Sequence, residues 1–389
     1  MKVLVTDGRS LATLAAVRSL GKCGHTIHCG ESFKHNLSSY SKYADTRVVY
    51  PDPEENPREF INHLISLSER ESYDLIIPVR DAATLAISCH KDVLEEHTNV
   101  VISDHDTLSP FMDKGETVRI AQQAGVPVPD TWFPEDTPKE TIRESVDYPV
   151  LVRPRRSSGS RGIRYVSHSR EFDEAYDFVS QKYGIPLVQE YIEHSGGHYS
   201  IGTIFDTNAT PVATHVYEET KQYPVSGGPA VEAVSVSPPE WTEDLLQLLE
   251  YVGWIGPAHM DVLFDPKSNE PKLLEVNPRL WMSIQIAISA GVDVPNIIAS
   301  IGDGKELTQV HNYKTDVQYR WLLPNGILWV VDNDDRLTAL KELLTSDLQS
   351  QCYGALNLRD LGPVLGTCAQ SLRYLMDKEK RAQIFDRGW

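Results

Sequence analysis

The chain has 389 residues, of which 41% are hydrophobic and 24% charged, as expected for a folded protein of two or three domains. Its 55 acidic and 37 basic residues give a net charge of −18, which argues against binding to nucleic acid or anionic membranes through bulk charge. No apolar run approaches the roughly 18 residues of a membrane-spanning helix, and the N-terminus turns polar too early for a secretory signal. We therefore expect a cytoplasmic protein without a membrane or nucleic-acid partner.

The N-terminal part alternates apolar, strand-like runs with helical patterns. This alternation, at this spacing, predicts a parallel sheet covered by helices on both faces. The first turn lacks the sequence G-x-G-x-x-G, so a nicotinamide-dependent oxidoreductase has little support. The predicted elements are strands at 2–8, 25–29, 74–79 and 100–102, and helices at 11–21, 57–68 and from residue 82.

The pattern changes from about residue 109. Asp113-Lys114 opens a helix that ends at Ala124-Gly125, and a proline-containing extended segment leads out of it. Beyond residue 305 the signals weaken, and two further helices there have no assigned role. The predicted elements are strands at 148–154, 163–166, 187–192, 199–205, 211–217 and 259–276 (two strands), and helices at 170–183, 335–346 and 365–378.

A loop rich in glycine, serine and arginine follows the strand that delivers Arg153. Glycines let backbone amides approach an anion closely, while hydroxyl and guanidinium groups add hydrogen-bond donors. These properties suit a polyphosphate, although a solvated hairpin tip is an alternative. Five arginines lie in this stretch of an acidic chain, at positions 153, 155, 156, 161 and 164.

A second group of polar side chains lies on a predicted hairpin. Strand alternation points Glu275 and Asn277 to one face, and Asp261 on the neighbouring strand could lie opposite them. Two carboxylates and an amide oxygen are ligands that Mg²⁺ accepts. A carboxylate in so apolar a strand would be costly without a cation. The alternative is that Glu275 pairs with Arg279 or faces solvent.

Taken together, these segments resemble the ATP-grasp superfamily. The resemblance is carried, in order, by Asp113-Lys114, the P-V-L-V-R-P strand with its loop, V-Q-E-Y-I, Asp261 and E-V-N-P-R. It covers roughly residues 1–300 and is to the carboxylate–amine ligases related to the carbamoyl phosphate synthetase large chain and to D-alanine–D-alanine ligase.

This resemblance implies an α/β and α+β architecture. An N-terminal α/β domain with a parallel sheet would be followed by a two-lobed ATP-grasp domain and a small C-terminal helical extension. The implied domains are 1–108 (N-terminal domain), 109–192 (small lobe with the glycine-rich lid), 193–304 (large lobe with the metal site) and 305–389 (extension of unknown role).

The resemblance also implies roles for single residues. Lys114 and Arg153 match the two basic residues that hold the ATP phosphates. Relatives often place a glutamate on the ribose, where this chain has His198 or Glu193. The implied ATP-binding residues are Lys114, Arg153, Ser157, Ser158, Gly159, Ser160, Gly162, Glu190, Ile192, Glu193 and His198. The implied metal ligands are Asp261, Glu275 and Asn277, and the implied catalytic residues are Arg279 and Lys221.

The implied activity is an ATP-dependent ligation of a carboxylate to an amine through an acyl phosphate, with release of ADP and phosphate. ATP and Mg²⁺ are the expected cofactors, with Mn²⁺ as an alternative ion, and the expected partners are a small carboxylate, a small amine and a second copy in a homodimer. The substrate pocket is expected between Arg80-Asp81 and the segment 221–228. The alternatives are a carbamate-forming or kinase-type phosphoryl transferase and a non-catalytic nucleotide-binding protein.

Overall fold

A computed structural model of the chain describes residues 1–157, 159–224, 227–305, 307, 309–310, 312–345 and 350–376. Its strands are β1 (Lys2–Val5), β2 (Thr26–Glu31), β3 (Thr46–Val49), β4 (Leu75–Ile77), β5 (Asn99–Val100), β6 (Thr131–Trp132), β7 (Val150–Arg153), β8 (Arg164–Val166), β9 (Leu187–Glu190), β10 (His198–Phe205), β11 (Pro211–Gln222), β12 (Ala230–Ser235), β13 (Gly256–Asp265), β14 (Glu270–Asn277), β15 (Val317–Arg320) and β16 (Ser350–Tyr353). Its helices are α1 (Leu11–Lys22), α2 (Pro57–Glu71), α3 (Asp81–Cys89), α4 (Lys91–Glu95), α5 (His105–Leu108), α6 (Lys114–Gln123), α7 (Lys139–Ser145), α8 (Ser169–Tyr183), α9 (Thr242–Tyr251), α10 (Gln285–Ala290), α11 (Val294–Gly302), α12 (Ile327–Asp332), α13 (Arg336–Leu344) and α14 (Gly362–Met376).

The N-terminal sheet is parallel throughout, in the order β3-β2-β1-β4-β5. Alternate residues of β1 face opposite layers: Val3 and Val5 pack in the cluster that contains α1, while Leu4 packs in the cluster that contains α2 and α3. The prediction of a parallel sheet covered on both faces is therefore confirmed. The strand order reverses between β1 and β4, so a crevice opens at the carboxyl ends of these two strands.

The second sheet belongs to a small lobe and is antiparallel, in the order β6-β9-β7-β8. Its valines pack against Phe172 and Val179 of α8. The nearby helix α6 begins where the sequence indicated, because the Asp113 side chain caps it by accepting from the backbone N–H of Gly115 at 2.9 Å and of Glu116 at 3.3 Å.

The third sheet has seven strands in the order β14-β13-β10-β11-β12-β15-β16. Neighbours are antiparallel except β15 and β16, which run parallel. The two predicted hairpins are present as β10–β11 and β13–β14. In this register Asp261 lies opposite both Ser200 and Glu275.

The C-terminal segment differs from the predicted helical extension. Both predicted helices are present as α13 and α14, although residues 346, 377 and 378 of the predicted ranges lie outside the described residues. The segment also supplies β15 and β16, two four-residue strands that lack the apolar run of equally short strands such as β7. It therefore completes the sheet of the large lobe. In the described part of the chain, no helix combines the length and apolar character needed to cross a bilayer.

Candidate active site

A cleft of about 500 Å³ is lined by residues from all three sheets or from the segments that follow their strands. The N-terminal domain contributes the turns after β1 and β4, the small lobe contributes its glycine-rich loop and β9, and the large lobe contributes one face of its sheet. The predicted site residues that line the cleft are Lys114, Arg153, Ser157, Gly159, Ser160, Glu190, Ile192, His198, Asp261, Glu275, Asn277 and Arg279.

The three predicted metal ligands converge on adjacent strands. The amide nitrogen of Asn277 lies 3.1 Å from Asp261 Oδ2 and 3.2 Å from Glu275 Oε1. On the other side of Asp261, the Ser200 hydroxyl lies 3.2 Å from Asp261 Oδ1 and 3.0 Å from Glu219 Oε1. The cluster thus contains a third carboxylate, that of Glu219, in addition to the two predicted from the sequence.

The two central carboxylates have opposite electrostatic environments. Burial, together with the neighbouring Glu275 and Glu219, raises the pKa of Asp261 well above its usual range. Burial also disfavours the charged form of Glu275, but Lys114 and Arg153 outweigh it and hold the pKa of Glu275 below its usual range. Negative charge at Asp261 is therefore under-compensated by protein groups.

The two predicted phosphate-binding cations lie beside this cluster. Lys114 Nζ lies 2.9 Å from Glu275 Oε2 and donates to the backbone carbonyl of Ser157 at 2.7 Å. The buried Arg153 donates from Nη1 to Gln189 Oε1 at 2.7 Å, and its Nη2 lies 3.7 Å from Glu275 Oε2. Its buried Nε has no hydrogen-bond partner among the described residues. Both cations therefore face the cleft next to the acidic cluster.

The arginines of the glycine-rich loop have different surroundings. Arg155 fixes the base of the loop to the start of α6 through Asp113 at 2.8 Å and Glu116 at 2.9 Å, and it also pairs with Glu135. The Arg156 side chain is 74% exposed, and its Nε lies 3.5 Å from Asp113 Oδ2. The loop requires unusual backbone geometry, since Gly162 has φ +78° and a Cβ there would lie 2.4 Å from the ring of Tyr183. The predicted residue Ser158 lies outside the described residues.

The residues from the end of β9 to the start of β10 include four of the predicted ATP-binding residues, two of them the candidates for the ribose contact. Glu190 and Ile192 both line the cleft, and the Glu190 carboxylate also accepts from the backbone N–H of Asp130 at 3.2 Å. Of the two candidates for the ribose contact, only His198 lines the cleft; Glu193 is 54% exposed and lies 3.7 Å from Lys267.

Arg279 connects the acidic cluster to the N-terminal domain. Its Nη2 donates to Asn277 Oδ1 at 3.1 Å, and its Nε donates to Asp81 Oδ1 at 2.5 Å. The alternative pairing of Glu275 with Arg279 is thus replaced by a pairing of Arg279 with Asp81, while Glu275 pairs with Lys114.

Lys221 was predicted as a catalytic residue, but the structure does not bring it to the cleft. Its ammonium group lies 3.5 Å from Glu232 and 3.2 Å from Glu342, close to the ring of Trp329. The pairing of β11 with β12 is irregular on both sides of Lys221. Such irregularities break the strict alternation of strand side chains, so Glu219 and Gln222 line the cleft while Lys221 does not.

Several residues that line the cleft were not predicted from the sequence. Trp281 stacks on His259, with ring centroids 5.6 Å apart, and the Tyr217 hydroxyl lies 2.8 Å from His259 Nε2 and 2.7 Å from Ser283 Oγ. Burial lowers the pKa of His259 to about 3, so this imidazole is neutral. The alternation of β11 and β13 could have indicated Tyr217, Glu219 and His259, which share a face with the predicted ligands.

The sequence is similar to known ATP-grasp proteins. The family model for an ATP-grasp domain matches residues 111–283. An alignment 234 residues long is 26% identical to the C-terminal section of the carbamoyl phosphate synthase large chain from Methanopyrus kandleri and covers 56% of this chain and 42% of that protein. An alignment 281 residues long is 23% identical to the large chain from Pyrococcus furiosus and covers 67% of this chain and 26% of that protein. The chain therefore spans less than half the length of these relatives.

Solved structures share the fold at low sequence identity. Biotin carboxylase from Campylobacter jejuni, solved as a β-γ-ATP complex, has a TM-score of 0.67 and 19% identity over 82% of this chain and 74% of that one. N5-carboxyaminoimidazole synthetase from Staphylococcus aureus has a TM-score of 0.63 and 14% identity over 82% and 80% of the two chains. The chain thus carries an ATP-grasp domain over residues 111–283 and is homologous to the carbamoyl phosphate synthase large chain.

Proposed function

We propose that the chain is an ATP-dependent, ADP-forming ligase that joins a carboxylate to an amine. The observation that carries this proposal is the convergence of Asp261, Glu275 and Asn277 with Lys114 and Arg153 in one cleft, next to the glycine-rich loop. Acidic oxygen ligands beside two phosphate-binding cations are what transfer of a phosphoryl group from Mg-ATP requires.

The donor set fits Mg²⁺. The described residues contain no group of three or more histidine, cysteine, aspartate or glutamate side chains arranged to hold a metal ion alone. Asp261 and Glu275 would therefore share the ion with phosphate oxygens and with the amide oxygen of Asn277, once this amide turns its oxygen from Arg279 toward the two carboxylates. The raised pKa of Asp261 beside two other carboxylates supports this fit, because a divalent cation would neutralise their excess charge. When bound, the ion supplies positive charge to the phosphate oxygens.

The reaction would proceed in two steps. A carboxylate oxygen attacks the γ-phosphorus of ATP, the bond to the β-phosphate oxygen breaks, and ADP leaves. An amine nitrogen then attacks the acyl carbon, the C–O bond to phosphate breaks, and the proton that the amine loses passes to the departing phosphate as the amide forms. Lys114, Arg153 and Arg279 would stabilise the charge on the transferred group and hold it in line, and closure of the 155–162 loop would exclude water.

A second candidate function differs from the first only in the acid that ATP activates. The fold likeness to biotin carboxylases, one of which was solved with MgADP and bicarbonate, favours a reaction in which bicarbonate takes the place of the organic carboxylate. The same phosphoryl-transfer residues would serve both reactions. A screen for ADP release with bicarbonate or with organic acids, each with and without an amine, separates the two.

The metal assignment is tested with Glu275→Gln, which keeps the size of the side chain and removes its charge. We expect this variant to lose tight binding of Mg-ATP, measured by titration calorimetry, and to lose ADP release in the same screen. Glu270→Gln is the matched control, because Glu270 is an exposed glutamate on the same strand. Binding of Mg-ATP by Glu275→Gln at wild-type affinity, with a normal far-UV spectrum, would contradict the proposal.

A further inference from the structure

One end of the cleft has no part in the phosphoryl transfer described above. It lies at the carboxyl edge of the N-terminal sheet, between β1 and β4, where the strand order reverses. Open parallel sheets bind their ligands at such points. The contacts of Arg279 with both Asp81 and Asn277 connect this end to the acidic cluster, so a ligand bound here lies next to the site of phosphoryl transfer.

Arg80 is a free cation at this end. Its side chain lines the cleft, and its guanidinium has no ion-pair partner within 4.0 Å among the described residues. Its backbone is held in place, because its N–H donates to the buried carboxylate of Asp7 at 2.9 Å. A positioned guanidinium without a protein partner is suited to a carboxylate ligand.

Most of the acidic side chains near Arg80 form ion pairs with other arginines. Arg9 lies 2.6 Å from Glu31 and 3.3 Å from Asp52. Asp81 pairs with Arg279. Glu54 is exposed at the rim of the cleft. Burial raises the pKa of the Asp7 carboxylate, and the charge of Arg80 only partly offsets this rise. Asp7 makes no ion pair with Arg80 within 4.0 Å, so no direct contact that the structure describes cancels the positive charge of Arg80.

An apolar wall stands at the same end. Met282 and Trp321 line the cleft and are only partly buried, and behind them they pack against the buried Leu11, Leu14 and Leu37. Nearby, the buried Trp281 also lines the cleft, and its indole nitrogen has no hydrogen-bond partner among the described residues. This end thus combines a cation with exposed apolar surface, and a ligand that satisfies both is amphipathic.

We infer that the acid activated by this site is an organic carboxylate with a bulky apolar group, rather than bicarbonate. Its carboxylate binds Arg80, and its apolar group covers Met282 and Trp321. Bicarbonate has no apolar part and would leave this wall in contact with water. The inference rests on the proposed function, since it names the acid for that reaction.

The test measures binding of three probes, 3-phenylpropionate, acetate and bicarbonate, to the Mg-ADP-loaded protein by titration calorimetry. We expect 3-phenylpropionate to bind at least about tenfold more tightly than either small anion, because only it buries apolar surface. Arg80→Gln should weaken 3-phenylpropionate and acetate about tenfold, because both lose a charge-assisted hydrogen bond, and Arg80→Lys should restore part of the loss. Trp321→Ala should weaken 3-phenylpropionate and leave acetate unchanged.

Equal affinity for 3-phenylpropionate and bicarbonate would overturn the inference, as would unchanged binding in Arg80→Gln. Affinity for Mg-ADP is measured for every variant and should not change, which shows that the nucleotide site is intact. The proposed function fails separately, through wild-type binding of Mg-ATP by Glu275→Gln. If the protein proved specific for bicarbonate, the proposed site of phosphoryl transfer would stand, and only the inference about the acid would be wrong.

Discussion

At the scale of single residues, strand alternation was enough to bring the three proposed metal ligands together but not to predict every neighbouring side chain. Glu275 and Asn277 lie where β14 pairs regularly with β13, up to an irregularity that begins after Asp261, so strand alternation placed all three side chains on one face. Lys221 was predicted from the family resemblance alone, and irregular pairing on both sides of it changes which residues face the cleft. Contacts that depend on the tertiary fold, such as Arg279 with Asp81 or Trp281 with His259, have no sequence signal of their own.

Gly202 shows how one small residue shapes the cleft. It lies opposite His259 on β13, and a Cβ at this position would stand 2.1 Å from Cζ2 of Trp281. We predict that Gly202→Ala destabilises the protein by about 1–3 kcal/mol, the usual cost of overpacking, and lowers affinity for carboxylate ligands because Trp281 must move. Urea unfolding and calorimetry measure the two effects.

The double variant Gly202→Ala/Trp281→Phe is the control. Phenylalanine lacks the ring atoms that the new methyl group would meet, so part of the stability lost in Gly202→Ala should return. Additive losses in the double variant would show that the two side chains do not compete for space.

At the scale of elements, the sequence predicted most of the described strands and half of the described helices, because apolar periodicity and helix caps are local signals. Asp113 identified the start of α6, and the alternating pattern of strands and helices identified the parallel sheet. Five strands were missed among the described residues, namely β3, β6, β12, β15 and β16. The last two lack the apolar runs that marked equally short strands such as β4 and β7, and their place in the sheet is decided by neighbours distant in sequence.

The glycine-rich loop carries a prediction at this scale. Arg155 ties the loop to α6 through Asp113 and Glu116, with its side chain 20% exposed. We expect Arg155→Gln to loosen the loop, to weaken Mg-ATP binding several-fold and to speed proteolysis within residues 155–162, because the loop loses its anchor while the cleft cations remain. Calorimetry and limited proteolysis with mass spectrometry follow these changes.

Arg156→Gln is the matched control for the loop. It removes the same charge from the next residue, whose side chain is 74% exposed and lies 3.5 Å from Asp113, farther than that of Arg155 at 2.8 Å. A general effect of positive charge on ATP binding would weaken both variants equally, whereas anchoring of the loop predicts a clearly larger effect for Arg155, which also contacts Glu116 at 2.9 Å.

At the scale of the whole molecule, the C-terminal segment joins the large lobe to the N-terminal domain. Its strand β16 pairs with β15 in the large-lobe sheet, and a few residues later Asp360 reaches α1. Asp360 Oδ2 accepts from Arg18 Nε at 2.8 Å and from Ser41 Oγ at 2.7 Å, while Oδ1 accepts from the backbone N–H of Lys42 at 2.9 Å. The ion pair is almost wholly buried, with the two side chains 3% and 1% exposed. The segment therefore fixes the two units that form opposite sides of the cleft.

Asp360→Ala should destabilise the protein strongly at neutral pH. Removing one partner of a buried ion pair leaves the other charge uncompensated, at a cost of about 3–5 kcal/mol. Asp303→Ala is the control, because Asp303 pairs with Lys305 on the surface, where 40% of its own side chain is exposed, and it should show no comparable loss. Urea unfolding of both variants gives the comparison, and equal midpoints for Asp360→Ala and the wild type would contradict the bridging role.

The pH dependence of this contact has a definite sign. Burial disfavours the charged form of Asp360, but hydrogen bonds from Arg18, Lys42 and Ser41 outweigh it and hold the pKa of Asp360 below its ordinary value. A group with a lowered folded-state pKa contributes stability above its unfolded pKa, about 3.9 for aspartate, and loses it as the pH falls through the folded value. The difference in unfolding free energy between wild type and Asp360→Ala should therefore be constant from pH 8 to pH 6 and shrink below about pH 4. A difference that grew on acidification would mean that Asp360 is protonated in the folded protein and that the contact with Arg18 is not an ion pair.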